Sequence, residues 1–100
     1  MNAKTVVQVD AELSDLIPGF LAHKRDDARL AQDAVKRGDY ETLARLGHRM
    51  KGDGGGYGFD AITDFGAALE QAAQHKDATA ACQCAERLAA YLDTLEVVYE

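Results

Sequence analysis

The apolar residues of this chain recur at helical spacing in successive segments, and the residues between those segments are of the kind that stop one helix and start the next. Phe20, Leu21, Ala28, Leu30, Ala31, Ala34 and Val35 make a broad apolar side that ends at Gly38. Gly38 tolerates the left-handed cap conformation, and Asp39 can accept hydrogen bonds from the free amides of a helix that begins at Tyr40. A further segment opens at Asp60, carries Ile62, Phe65, Leu69, Ala72 and Ala73, and ends near His75 and Lys76, where cations suit the negative helix end. Asp77 or Thr79 caps the last helix, whose stripe of Cys84, Leu88, Tyr91, Leu92, Leu95, Val98 and Tyr99 runs almost to the C-terminus. Ahead of all four, Asp10 can cap a short helix over residues 11–17, with Pro18 placed where the next begins. Short connections imply antiparallel neighbours. The expected fold is all-α: an antiparallel up-and-down four-helix bundle with a short additional N-terminal helix across one end, one domain over residues 1–100.

Composition limits what such a bundle can do. One hundred residues bury a single core and leave no room for separate cofactor and substrate domains. The net charge of −6, with no block of basic residues, gives no source for the counterion release that drives nucleic-acid binding. No apolar run approaches a membrane span, and the N-terminus lacks a basic region followed by an apolar core and a cleavage site, so a cytoplasmic protein is expected. Met1 and the first helix favour a free-standing chain, and a monomer is expected because one bundle can cover its own stripes. Cys82 and Cys84 stand two positions apart on a helix and point to different sides, which suits a core residue and a near-surface residue rather than a shared metal or disulfide.

Chemistry concentrates in the stretch Leu46-Gly47-His48-Arg49-Met50-Lys51-Gly52-Asp53-Gly54-Gly55-Gly56-Tyr57-Gly58. At about 100° per residue, Leu43, Leu46, Met50 and Tyr57 define a buried face, and His48 falls about 170° from its middle, facing solvent. Ala44, Lys51, Gly52 and Gly55 surround it. Exposed helix positions ordinarily carry long polar side chains, so these small residues leave a clearing. Four glycines held in a helix would cost on the order of 3–4 kcal/mol relative to alanine. Either the helix ends near Asp53 and the run is a loop, or the glycines permit close approach, with Gly52 and Gly55 clearing the surface and Gly54 admitting a neighbouring helix. Neutral imidazole has an available lone pair and can attack directly, and an ammonium one turn away, Lys51, can meet phosphoryl oxygens.

His48-Arg49-Met50-Lys51-Gly52, followed by Gly54 and Gly58, resembles the motif of the histidine-containing phosphotransfer (HPt) domain family, in which His, Lys and Gly occur at these relative positions. The likeness extends upstream through Leu43-Ala44-Arg45-Leu46 and downstream through Gly58-Phe59, Phe65 and Leu69-Glu70-Gln71-Ala72, so that with the helical layout it covers essentially the whole chain. The chain departs from the pattern in Gly47, where alanine is usual, and in the triple glycine over 54–56. The resemblance implies that His48 accepts a phosphoryl group from an aspartyl phosphate on a response-regulator receiver domain and passes it to another receiver. Lys51 would stabilise the phosphohistidine, and Gly52, with Ala44, Arg45 and Gly55 around the histidine, would meet the partner. It also implies a hybrid sensor histidine kinase upstream, Mg²⁺ carried by the receiver, and no cofactor of the chain's own. Receivers of this family dock over the phosphorylatable helix and the helix before it, which directs attention to exposed apolar residues of residues 18–37.

Other readings have less support in the residues. An ATP-using enzyme would need a phosphate loop between strand and helix, and the glycine run lacks both the lysine-hydroxyl ending and a preceding strand. A metal site built from His23, His48 and His75 would need three helices to converge. The alternative that stands is a helical adaptor that binds a receiver or other signalling partner without phosphotransfer, since a fold does not guarantee an activity.

Overall fold

The computed structural model describes residues 4–100, and Met1 lies outside them. Four helices carry the fold: α1 (Ile17–Arg37), α2 (Tyr40–Gly56), α3 (Asp60–Gln74) and α4 (Ala78–Thr94). Each packs on its sequence neighbour and α4 returns to α1, closing an all-α bundle around one core. Ile17, Leu43, Met50, Phe59, Ile62, Leu69, Leu88 and Leu92 are fully buried in it.

The helix boundaries follow the stop and start residues. Pro18 occupies the first turn of α1, where its missing N–H costs nothing. Asp39 caps α2, its carboxylate accepting from the Thr42 amide at 3.1 Å and the Thr42 hydroxyl at 2.7 Å. Asp77 caps α4 by accepting from the Ala80 amide at 3.0 Å. Gly38 lies at φ 67° and Gly58 at φ 85°, the left-handed region that lets a chain turn back on its own last carbonyls. The Phe59 amide accordingly reaches back to the Gly54 carbonyl at 2.9 Å and closes the end of α2.

Two elements differ from the periodicity reading. Asp10 does cap a turn, accepting from the Glu12 amide at 2.9 Å, but the turn is a single 3-10 turn over Ala11–Leu13 rather than a helix reaching residue 17. The last helix stops at Thr94, and Leu95–Tyr99 is a strand, β2, paired in parallel with β1 (Thr5–Val9), Val7 opposite Val97. Leu95, Val98 and Tyr99 satisfy helical spacing from Leu92, yet the run Leu-Glu-Val-Val-Tyr is also strand-like, with β-branched and aromatic residues. The partner strand lies some ninety residues earlier in the chain, beyond any local pattern. Leu95 and Val97 turn partly inward while Glu96 and Val98 face out, the period of a strand.

On α1 the inward face is not purely apolar. Lys24 and Asp27 are buried among Ile17, Phe20, Ala28 and Ala31, while Leu30, grouped with the apolar side by its position in sequence, is 51% exposed. Residues 17, 20, 24, 27, 28 and 31 share one helical face, and Leu30 falls off its edge.

Candidate functional site

α2 remains helical through its glycines to Gly56, so His48, Lys51, Gly52 and Gly55 share one continuous surface. Its opposite side seats Leu43, Leu46, Gly47, Met50 and Gly54 against the bundle. Tyr57, expected on that buried face, lies just beyond the last helical turn and stacks on Phe20 with ring centroids 4.2 Å apart.

Two kinds of glycine serve this helix. A Cβ on Gly47 would lie 2.6 Å from the Glu70 amide nitrogen and 2.7 Å from the Gly66 carbonyl oxygen. A Cβ on Gly54 would lie 2.6 Å from Thr63 and 2.7 Å from the Phe59 carbonyl, and one on Gly66 would collide with the Lys51 amide nitrogen. These three glycines let α2 and α3 approach closer than any side chain would allow. Gly52 and Gly56 by contrast face open space, and Gly55 meets only the Thr63 hydroxyl, at 3.9 Å. Of the small residues expected to surround His48, Gly52 and Gly55 are exposed, and Ala44 is half-buried, its methyl partly packed on the core.

The close α2–α3 seam brings Glu70 to the histidine. The His48 side chain is 77% exposed, and its Nδ1 lies 3.0 Å from Glu70 Oε2. The other carboxylate oxygen, Oε1, lies 3.5 Å from Lys51 Nζ. A carboxylate can only accept, so Nδ1 is the donor of this bond, and in the neutral ring the lone pair is then left on Nε2 of a largely exposed side chain. Glu70 is itself only 18% exposed, so its orientation is fixed by packing. The histidine therefore has a partner base, which periodicity along one helix did not reveal. Glu70 lies 22 residues from His48, and the signal for it was tertiary: Gly47 and Gly54 on α2 and Gly66 on α3 mark where two helices touch, and that contact sets Glu70 beside His48.

A second polar cluster joins α1 to the same stretch of α2. Lys24 Nζ donates to Asp27 Oδ2 at 3.1 Å and to Asp53 Oδ2 at 2.9 Å, and Arg49 donates to Asp27 Oδ1 at 3.0 Å. The pattern of apolar residues passed over these groups because charged side chains mark a solvated face when read singly. Here two cations and two anions neutralise one another.

A shallow groove of about 380 Å³ runs between α1 and α2, lined by Leu30, Thr42, Arg45, Leu46 and Arg49. Arg45 is exposed and donates to the Thr42 hydroxyl at 3.2 Å. His23 borders the polar cluster, its Nε2 3.9 Å from Asp27 Oδ1. His23 and His75 are exposed on α1 and at the end of α3, His75 Nδ1 lying 2.9 Å from the Gln71 carbonyl. Cys84 is buried, which pushes its thiol pKa up, and Cys82 is nearer the surface, where its hydrogen bond to Glu86 does the same. Among the described residues, no helix is long and apolar enough to cross a membrane.

A sequence model described as the Hpt domain matches residues 15–97. No curated protein and no solved structure matches the chain.

Proposed function

Because the chain belongs to the Hpt domain family, in which a histidine carries phosphoryl groups within phosphorelays, we propose that His48 is the phosphoryl carrier and that Glu70 and Lys51 prepare it. The observation that carries this reading is the Glu70 carboxylate, shared between His48 Nδ1 and Lys51 Nζ, beside a largely exposed imidazole ring.

In the proposed step the Nε2 lone pair attacks the phosphorus of an aspartyl phosphate on a receiver domain. The N–P bond forms as the P–O bond to the aspartyl oxygen breaks, and that electron pair leaves with the carboxylate. No proton needs to move, since Nδ1 keeps its hydrogen against Glu70. The ring gains positive charge as the bond forms, which Glu70 offsets, and Lys51 can turn from Glu70 to the phosphoryl oxygens. Transfer to a second receiver is the reverse reaction with a new acceptor. We place Mg²⁺ on the receiver. This chain sets Glu70 against its own cation and imidazole.

The docking surface follows from the same helix. Gly52 and Gly55 give a partner's loops access to Nε2, Ala44 adds little bulk, and Arg45 with the exposed Leu30 extends the surface along the groove. Arg45, exposed and donating to the Thr42 hydroxyl rather than to a carboxylate, puts an unneutralised cation on this face of a chain of net charge −6, which suits a partner whose active site is acidic. A hybrid sensor histidine kinase upstream and a cytoplasmic setting belong to the same reading, as does action as a monomer.

A panel of phosphorylated receivers with Mg²⁺ tests it. An acid-labile, base-stable phosphoryl group is expected on the wild-type protein and not on His48→Gln. Label retained by the variant would remove His48 from the role, and receiver binding without transfer to wild type would establish the adaptor instead.

A further inference from the structure

The glycines of α2 pose a physical problem. Gly52, Gly54, Gly55 and Gly56 all lie within the helix, and each is worse than alanine there by roughly 0.8–1 kcal/mol. Such a helix end frays unless tertiary contacts hold it. Yet Lys51 and the clearing beside His48 depend on that segment keeping helical register.

One face of α1 meets it. Phe20, Lys24 and Asp27 follow one another at helical spacing and contact Tyr57, Asp53 and Arg49 of the α2 segment in that order, because the helices run antiparallel. Phe20 stacks on Tyr57 with centroids 4.2 Å apart and on Phe59 at 5.6 Å. Lys24, wholly buried, lies 5.5 Å from the Phe20 ring centroid and holds Asp53 at 2.9 Å. Asp27, 1% exposed, holds Arg49 at 3.0 Å, the residue next to the histidine. A buried lysine is costly unless its charge is satisfied, so its retention on an otherwise apolar face calls for a cause, and the clamp supplies one.

We propose that Lys24 is a positioning residue: with Asp27 and Phe20 it clamps the glycine-rich end of α2 in helical form and so fixes Lys51 and Gly52 relative to His48. The clamp lets the surface be cleared of side chains without the helix unwinding. Its bearing on phosphotransfer rests on the reading of His48 given above, but its effect on α2 does not.

Lys24→Met is the variant of choice. Methionine fills the apolar stem's space, Asp27 loses its Oδ2 donor but keeps Arg49 on Oδ1, and Asp53, 41% exposed, can be solvated, so each anion keeps a cation or water. Amide exchange at residues 52–56 should rise at least about tenfold, the scale of losing a buried charge-assisted hydrogen bond, while core amides of α3 and α4 keep their wild-type protection. With the receiver that loads wild type fastest, transfer should slow while receiver affinity is kept. Adding Gly56→Ala, whose methyl meets open space, should recover about four- to fivefold of the lost protection, and part of the rate, through helix propensity alone. Unchanged exchange at residues 52–56, or a rise shared equally by α3 and α4, would overturn the clamp, as would a Gly56→Ala that recovers none of the lost protection. If Lys24→Met does not fold, the exposed-side variant Asp53→Asn is judged by the same local exchange. If no receiver loads wild type, the phosphotransfer reading fails and exchange alone decides the clamp.

Discussion

Glycine is used on α2 for two opposite purposes, and substitutions separate them. At Gly47 a Cβ has no room, with Glu70 and Gly66 backbone at 2.6 and 2.7 Å. Gly47→Ala should therefore destabilise the fold by about 1–3 kcal/mol through overpacking, despite alanine's better helix propensity. Gly52→Gln should unfold at nearly the wild-type temperature yet slow transfer, because its side chain enters only the space a partner must occupy. Thermal melts beside transfer rates check both, and a neutral Gly47→Ala would mean that α2 and α3 are not held as closely as described. Glu70 offers a finer separation. Glu70→Gln keeps an oxygen that can accept from Nδ1 but removes the charge, and Glu70→Ala removes both, so rates should fall in the order wild type, Gln, Ala, the last by about tenfold or more. Equal rates for all three would exclude a role for the carboxylate. His48, Lys51 and the clearing were legible in the sequence because they lie on one helix, where 100° per residue is enough to place them. Glu70, Lys24 and Asp27 were not, since their meaning depends on which helices touch.

At the scale of elements, the ends of helices were the most readable feature. Asp39 and Asp77 each cap the helix that follows, and Gly38 ends α1 in the left-handed region. The Thr42 hydroxyl and amide, donating to Asp39, hold its carboxyl below the ordinary 3.8. A carboxyl with a depressed folded pKa stabilises the protein above its unfolded value, and that contribution is lost as pH falls through the folded value. The stability difference between wild type and Asp39→Ala should therefore be constant near neutrality and narrow below about pH 4, the unfolded range for Asp. Chemical denaturation at several pH values measures it, and a gap that widens in acid would contradict the cap. The C-terminal strand escaped the periodicity reading because Leu95, Val98 and Tyr99 fit both a helix stripe and a strand. A parallel partner at the opposite end of the chain decides between them. The glycine run was open for a similar reason: propensity argued for a loop, and contacts from α1 and α3 outweigh it.

At the scale of the whole molecule, one helix carries the candidate site on its outward side. Four helices surround a single core, as the apolar stripes required, and α2 presents His48 on an outward surface flanked by Arg45, Arg49 and Lys51. Leu30 gives that surface an exposed apolar contact beside the α1–α2 groove. Leu30→Asp and Arg45→Glu should each weaken receiver binding on the order of tenfold, the scale of losing an apolar contact or reversing a steering charge. Both should leave loading of His48 by the small donor phosphoramidate unchanged, and a loss of that loading would move these residues from docking to chemistry. In the proposed transfer, Glu70 holds the proton on Nδ1 and leaves Nε2 of His48 to take the phosphoryl group. Nitrogen–phosphorus correlation by NMR on the phosphorylated, ¹⁵N-labelled protein reads that bond directly. The phosphorus should couple to Nε2 of His48, with the Nδ1 proton retained; coupling to Nδ1, or to any other side chain, would contradict that role for Glu70.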